Sequence, residues 1–231
     1  MPAPISIVIP TLNAGADLPE TANALLPGIG DGLVREVVIS DGGSSDDTLE
    51  IASELGAIIV QGARGRGAQI ARGVAAAEGD WILILHADTH LSADWPTAVR
   101  QHMAAHPGAA GWFRLAFRSR GIAPSVVAAG ANFRSRYLSL PYGDQGLLLP
   151  AALLSDIGGV PEVPLMEDVL LARRLKGRLH PMAAVAHTSA ERYERDGWLR
   201  RVLRNLTTLG RFMMGSDPES LVKSYARSKG S

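Results

Sequence analysis

The chain has 231 residues, enough for one large α/β domain with a full core or for two small ones. Its 23 Lys and Arg balance its 23 Asp and Glu, which argues against a general nucleic-acid binder, because affinity for a phosphate backbone rests on surplus cations. The absence of cysteine excludes disulfides, thiolate metal sites and cysteine nucleophiles together.

In chain order, residues 5–10 (ISIVIP) read as a buried strand and 18–26 as a helix. Residues 36–40, 57–61 and 81–85 are three further strands, with helices expected near 46–55 and over 68–77. Continuous apolar strands alternating with helices predict a mostly parallel sheet covered on both faces, joined by right-handed crossovers. Beyond these, a helix is expected over 93–106, a strand over 111–117, a helix over 124–137, a short strand over 146–149 and a helix over 167–176. The tail reads as two helices, 198–214 and 218–228. No repeat or linker interrupts the chain, so a single domain spanning 1–231 is preferred. The opening MPAPISIVIP lacks the basic and long apolar regions of a signal peptide. No apolar run reaches the ~18 residues that a membrane span needs. A cytoplasmic protein is the expectation.

Ligands of such sheets bind beyond the carboxyl ends of the strands, and four polar segments lie there. After the second strand, Asp41 precedes a Gly-Gly turn, where a carboxylate either accepts a nucleobase N–H or simply makes the turn. Asp46 and Asp47 behind it suit a helix start, with Ser44 and Asp47 resembling a capping box. The loop 62–67 (GARGRG) places Arg64 and Arg66 beside a helix N-terminus, and reads equally as an anion cradle or a solvated basic loop. His86 and Asp88 lie two apart on extended chain and so point the same way. A carboxylate there suits Mg²⁺ or Mn²⁺ on a diphosphate, and a histidine ligand tilts the choice to Mn²⁺. An N-cap aspartate beside a satisfied histidine is the plainer alternative. Glu167 and Asp168 open a helical pattern, as caps or as a general base at a cleft edge.

Taken together, SIVIPTLN (6–13), 36–48, Ala71-Arg72-Gly73, GDWILILHAD (79–88) and Glu167-Asp168 resemble the inverting nucleotide-sugar glycosyltransferases of family 2, with the GT-A fold. Tyr142 to Gly146 (YGDQG), Ile157-Gly158-Gly159 and 164–169 (PLMEDV) are similar to its small bacterial members of the arsenosugar-biosynthesis type. The resemblance implies a nucleotide-binding half (1–110), an acceptor and catalytic half (111–190) and a helical tail (191–231). It implies that Pro10, Thr11, Asn13, Asp41, Arg64, Arg66, Arg72 and Ala87 serve the donor nucleotide of a UDP- or GDP-sugar. Asp88 with His86 would hold a divalent metal, Mn²⁺ or Mg²⁺, and Asp144 and Gln145 would sit near the donor sugar or acceptor. Asp168, beside Glu167, would be the base that activates an acceptor hydroxyl. His86 departs from the family's Asp-x-Asp pattern by replacing its first acid, and His187 is a candidate to complete a metal site or a surface histidine.

In residues 198–214, Leu199, Val202, Leu203, Leu206, Leu209 and Met213 fall at helical spacing, with Arg200, Arg201, Arg204 and Arg211 on the polar side. Packing against the domain or a second subunit is the plainer reading. Peripheral membrane contact, suited to a lipid-linked acceptor, is the other. Two rival functions stay open: a sugar-phosphate nucleotidyltransferase, which usually has a Gly-rich signature where this chain has PTLNAGADL, and a non-catalytic nucleotide-sugar-binding module.

Overall fold

The computed structural model describes residues 3–217 and 220–221. β1 (Ile5–Thr11) leads through α1 (Leu18–Gly30) to β2 (Val34–Asp41), α2 (Thr48–Glu54), β3 (Ile58–Gln61), α3 (Arg66–Ala75) and β4 (Trp81–Ile84). There follow β5 (Thr89–Leu91), α4 (Trp95–Ala105), β6 (Ala110–Phe117), α5 (Ile122–Leu138), a 3₁₀ turn (Gly143–Gln145), β7 (Leu147–Pro150) and α6 (Ala151–Asp156). Then come α7 (Glu167–Arg174), β8 (Leu179–Thr188), α8 (Glu191–Asp196) and α9 (Trp198–Met213).

The strands make one sheet in the order β3-β2-β1-β4-β7-β6-β8-β5. The first four are parallel to one another, in register from Ile7 opposite Val37 to Thr11 opposite Asp41. The continuous apolar runs of β1 and β4 follow from burial on both faces, while β2 is buried only over its second half and β3 forms a partly exposed edge. Ile5, Ile7 and Ile9 of β1 enter a core with Trp95 and Val99 of α4, whereas Val8 enters a second core with Ile70 of α3 and Leu171 of α7. The chain winds outward from β1 to β3 and then returns to place β4 on the other flank of β1. The carboxyl ends of β1 and β4 therefore bracket a topological switch point, where such sheets leave a crevice.

Beyond β4 the sheet changes character. β7 runs antiparallel between β4 and β6, β8 runs parallel to β6, and β5 runs antiparallel to β8. β5 and β8 were not anticipated from the sequence. β5 is three residues long. β8 contains Pro181, which has no N–H to give; it sits opposite Trp112, where the pairing slips before Arg114. The helix expected over 18–26 runs on to Gly30 through Pro27, and the one expected over 218–228 falls almost wholly outside the described residues. Among the described residues, no helix is long and apolar enough to cross a membrane.

Candidate active site

The rim formed by β1 and β2 is organised by Asp41, which is 0% exposed. One carboxylate oxygen accepts from Thr11 Oγ1 (3.0 Å) and Ser44 Oγ (2.5 Å), and the other from the N–H groups of Gly43 and Ser44 (both 2.8 Å). Burial alone would raise the pKa of this carboxyl, but the bonds from Ser44, Gly43 and Thr11 outweigh it and hold the group below its usual range. A nucleobase N–H therefore reaches Asp41 only by displacing one of these donors. Asn13, exposed and with φ of 51°, accepts from Ser45 N–H (2.9 Å), and its own N–H donates to Ser44 Oγ (2.8 Å). Pro10 is half-buried at the end of the same strand. The capping box expected from Ser44 and Asp47 does not form, because Ser44 is committed to Asp41. Asp46 takes that duty instead, accepting from Thr48 N–H (3.2 Å) and from Gly15 N–H (3.0 Å).

The 62–67 loop is filled by protein. A Cβ on Gly67 would lie 2.3 Å from the Pro161 carbonyl oxygen, so this glycine lets α3 approach the 161–163 backbone. Arg72 donates to the Asp41 carbonyl (2.8 Å) and packs beneath Gly62, tying α3 to the end of β2. Gln69, unremarked in the sequence, donates to the carbonyls of Thr11 (2.6 Å) and Ser40 (3.2 Å) and braces the same rim. Arg64 points to solvent. Arg66 turns the other way: its Nε donates to Glu167 and its guanidinium lies 3.5 Å from Asp168 Oδ2. Burial would lower the Arg66 pKa, but Glu167 and Asp168 together raise it, so the guanidinium is a permanent cation.

That pair separates the two adjacent acids of α7. The Glu167 side chain is 2% exposed and faces inward to Arg66, whereas that of Asp168 is 17% exposed and faces a cavity of about 210 Å³. Asp168 Oδ2 accepts from Gly143 N–H (3.1 Å) and Oδ1 from Val169 N–H (2.8 Å), which fixes its orientation. Met166, in the left-handed region with φ of 67°, turns the chain into α7.

The same cavity is lined by Arg66, His86, Asp88 and Asp144. Among the described residues His86 Nε2 is buried without a partner, and a Cβ on Gly143 would meet it at 2.5 Å, so only glycine lets the 3₁₀ turn close over the imidazole. Burial, then Arg66, pushes the His86 pKa down to about 3 and keeps the ring neutral. Asp144 Oδ1 is also unpartnered. Burial, opposed by Arg134 and reinforced by Asp168 and Asp88, pushes its carboxyl up to about 6. The Asp88 carboxylate has one long hydrogen bond, from Thr89 Oγ1 (3.4 Å). Among the described residues, no three His, Asp or Glu side chains converge as a metal cage.

Several sequence-predicted residues lie elsewhere. Gln145 is turned into the interior, accepting from Ser135 Oγ (2.5 Å) and donating to the Phe113 carbonyl (3.2 Å), so it braces the turn that carries Asp144. Ala87 offers its carbonyl to Thr21 (2.6 Å), and its side chain packs on the core. His187 pairs with His90 in the β5–β8 ladder, while its neighbour Thr188 lines the cavity. A further wall was not assigned to the site from the sequence: Tyr142, Arg192 and Tyr193, with Arg201, Asn205 and Thr208 of α9. Positions 201, 205 and 208 share one helical face, so the polar stripe of α9 was the available signal.

Comparison with known proteins agrees with this architecture. The family described as Glycosyl transferase family 2 matches residues 6–144, and the chain belongs to it. That family of sugar-transferring enzymes displaces the nucleotidyltransferase reading. Among curated relatives, a PGL/p-HBAD biosynthesis glycosyltransferase of Mycobacterium bovis (strain BCG / Pasteur 1173P2) is 42% identical over 100 residues, covering 39% of this chain and 38% of the relative. Glucosyl-3-phosphoglycerate synthase of Mycobacterium tuberculosis (strain ATCC 25618 / H37Rv) is 33% identical over 93 residues, covering 36% of this chain and 28% of the relative. The matches thus span well under half of either relative. Among solved structures, S. aureus TarS 1-349 superposes with a TM-score of 0.63 at 18% identity, over 94% of this chain and 68% of that one. The Mycobacterium tuberculosis synthase, solved with Mn²⁺, UDP and phosphoglyceric acid, superposes with a TM-score of 0.58 at 21% identity, over 88% and 77%. These neighbours share the GT-A fold.

Proposed function

We propose that the chain transfers a sugar from a nucleoside-diphosphate donor to an acceptor hydroxyl, inverting the anomeric carbon, with Asp168 as the general base. The observation that carries this reading is the division of labour at α7, where Glu167 is spent on Arg66 and Asp168 is left facing the cavity in a fixed orientation. A base must hold its oxygen within hydrogen-bond reach of the acceptor proton, and two backbone N–H groups, one on each oxygen, fix the orientation of the Asp168 carboxylate here. In-line attack by the acceptor oxygen forms the new glycosidic bond as the bond to the diphosphate breaks, and the proton passes to Asp168. Arg66 stays cationic beside the cavity and opposes the negative charge that develops on the leaving diphosphate. The donor nucleotide is read to lie along the β1–β2 rim, over Thr11, Asn13 and Asp41.

The donor set fits a divalent cation shared with the substrate better than one caged by protein. Asp88 is lightly bonded, and Asp144, which lines the same cavity, has a buried oxygen with no partner among the described residues, a pattern suited to a hard ion that takes one or two carboxylates and completes its shell with phosphate oxygens and water. Such an ion would neutralise charge on the departing diphosphate. His86 is the weaker candidate, because Gly143 covers its free nitrogen.

The test is paired. Calorimetric titration with UDP and with GDP, each with and without Mn²⁺, is expected to show metal-enhanced binding of one nucleotide. Asp168→Asn is expected to keep that binding while lowering kcat by ~10²–10⁴-fold. Wild-type turnover in this variant would remove Asp168 from the role, and absence of binding to either nucleotide would overturn the donor reading.

A further inference from the structure

The outer wall of the cavity turns the usual order of burial inside out. On α9, Arg201 and Thr208 are buried and Asn205 lines the cavity, whereas Leu199 (73% exposed), Leu203, Leu206 and Met213 face outward. On α5, which packs beside α9, the small residues Ala128, Ala131 and Ser135 are buried, and Ile122, Val126, Phe133 and Tyr137 face outward. Although Trp198, Leu209 and Phe212 of α9 pack inward, each of the two neighbouring helices thus presents a row of apolar side chains to the surroundings.

The charge of the same region is one-sided. No acid occurs between Asp94 and Asp144, nor between Asp196 and Asp217. The first 94 residues carry 13 Asp and Glu against 4 Lys and Arg, a net −9, and the remaining 137 carry 10 against 19, a net +9. Exposed Arg120, Arg136, Arg200 and Arg211 belong to the cationic part. Of the acids of α8, Glu191 is exposed, Glu194 is bonded to Ser119 and Asp196 is neutralised by Arg195, Arg201 and Arg204.

We propose that the outer face of α5 and α9 docks on an anionic lipid bilayer. An interfacial helix needs an apolar stripe that enters the acyl boundary, with cations beside it at headgroup level, and attraction to acidic lipids adds to the apolar term. Both requirements are met on one side of the molecule. A second copy of the chain is the poorer occupant, because two such faces would bring like charges together. Nucleic acid would use the arginines but leave the leucines in water. The cavity lies on the inner side of α9, so docking sets its outer wall against the membrane.

The experiment is co-sedimentation of the full chain with vesicles of phosphatidylcholine alone and of phosphatidylcholine mixed with phosphatidylglycerol. Binding is expected only to the mixed vesicles and is expected to weaken with added salt. The triple variant Leu199→Ser, Leu203→Ser, Leu206→Ser changes exposed positions, so its thermal melt by circular dichroism should match wild type while its partition falls by about tenfold or more. Arg136→Glu with Arg200→Glu should also abolish the preference for the anionic lipid. Equal binding to both vesicle types, undiminished binding of the triple variant, or a wild-type dimer on size exclusion that the triple variant converts to monomer without vesicle binding in either form would each overturn the proposal. Asp168→Asn should dock like wild type, so failure of docking and failure of the transfer reading are told apart.

Discussion

Two carboxylates on the same rim of the sheet have been driven in opposite directions. Asp41 and Asp144 both lie beyond strand ends and both lose water, yet the pKa of one falls and that of the other rises to about 6. The difference is the supply of donors. Asp41 has four, from Thr11, Gly43 and Ser44, while Asp144 keeps an oxygen with none. Burial on its own therefore does not say what a buried acid is for. A saturated carboxylate holds the fold, and an unsaturated one beside a cavity is available to something that binds.

Removing the donors' partner breaks the comparison most severely. Asp41→Ala leaves the Gly43 and Ser44 N–H groups and the Thr11 hydroxyl without an acceptor, at an expected cost of about 4 kcal/mol. Thermal unfolding at neutral pH should record a fall in Tm of about 10 °C. The contribution of Asp41 is present above its usual value of 3.8 and is lost as pH falls through its lowered folded pKa. The destabilisation caused by Asp41→Ala should accordingly shrink in strong acid.

Arg66→Met sharpens the contrast by making Glu167 a second orphan. Among the described residues Arg66 is the ion-pair partner of the Glu167 side chain, so the variant should lose about 3 kcal/mol in denaturant titration. Adding Glu167→Gln should recover part of that loss, and no recovery would show that the cost lay in packing.

The smallest expected effect has the opposite sign. Asp144 has a folded pKa raised from 3.8 to about 6. The stability linked to its proton is complete below pH 3.8 and is lost as pH rises through 6. In metal-free buffer at pH 7.5, Asp144→Asn should melt about 2–4 °C above wild type, the cleft's solvent screening the cost to about 1 kcal/mol. The gap should close by pH 4. An unchanged gap across that range would mean that the carboxylate is not strained by its surroundings.

The parallel half of the fold was legible because β1 and β4 are buried on both faces and so appear as unbroken apolar runs. The antiparallel half was not, since β5 is short and β8 mixes Pro181 and two histidines into its alternation. The sequence likewise pointed to Asp88, Asp144 and Asp168, which line the cavity; the resemblance singled out Asp168 over Glu167, and the structure adds that Glu167 is turned to Arg66 while Asp168 faces the cavity. Gln69 and Gln145 went unrecognised as braces, since partners such as Ser135 and Thr11 lie 10 and 58 positions away along the chain. The α9 wall was hidden by a sound rule, that apolar stripes face inward, which this helix obeys at Trp198, Leu209 and Phe212 but not at Leu199, Leu203, Leu206 and Met213.

The division of the chain into a −9 portion and a +9 portion makes its neutrality a poor guide to its handling. A sequence pI of about 7.0 suggests a protein that passes through ion-exchange media unretained at neutral pH. A molecule with this separation of charge behaves as a large dipole, and opposite sides present opposite signs to anything within a Debye length, about 10 Å at 0.1 M salt. It should be retained at low salt on cation and anion exchangers alike, held by a different side on each.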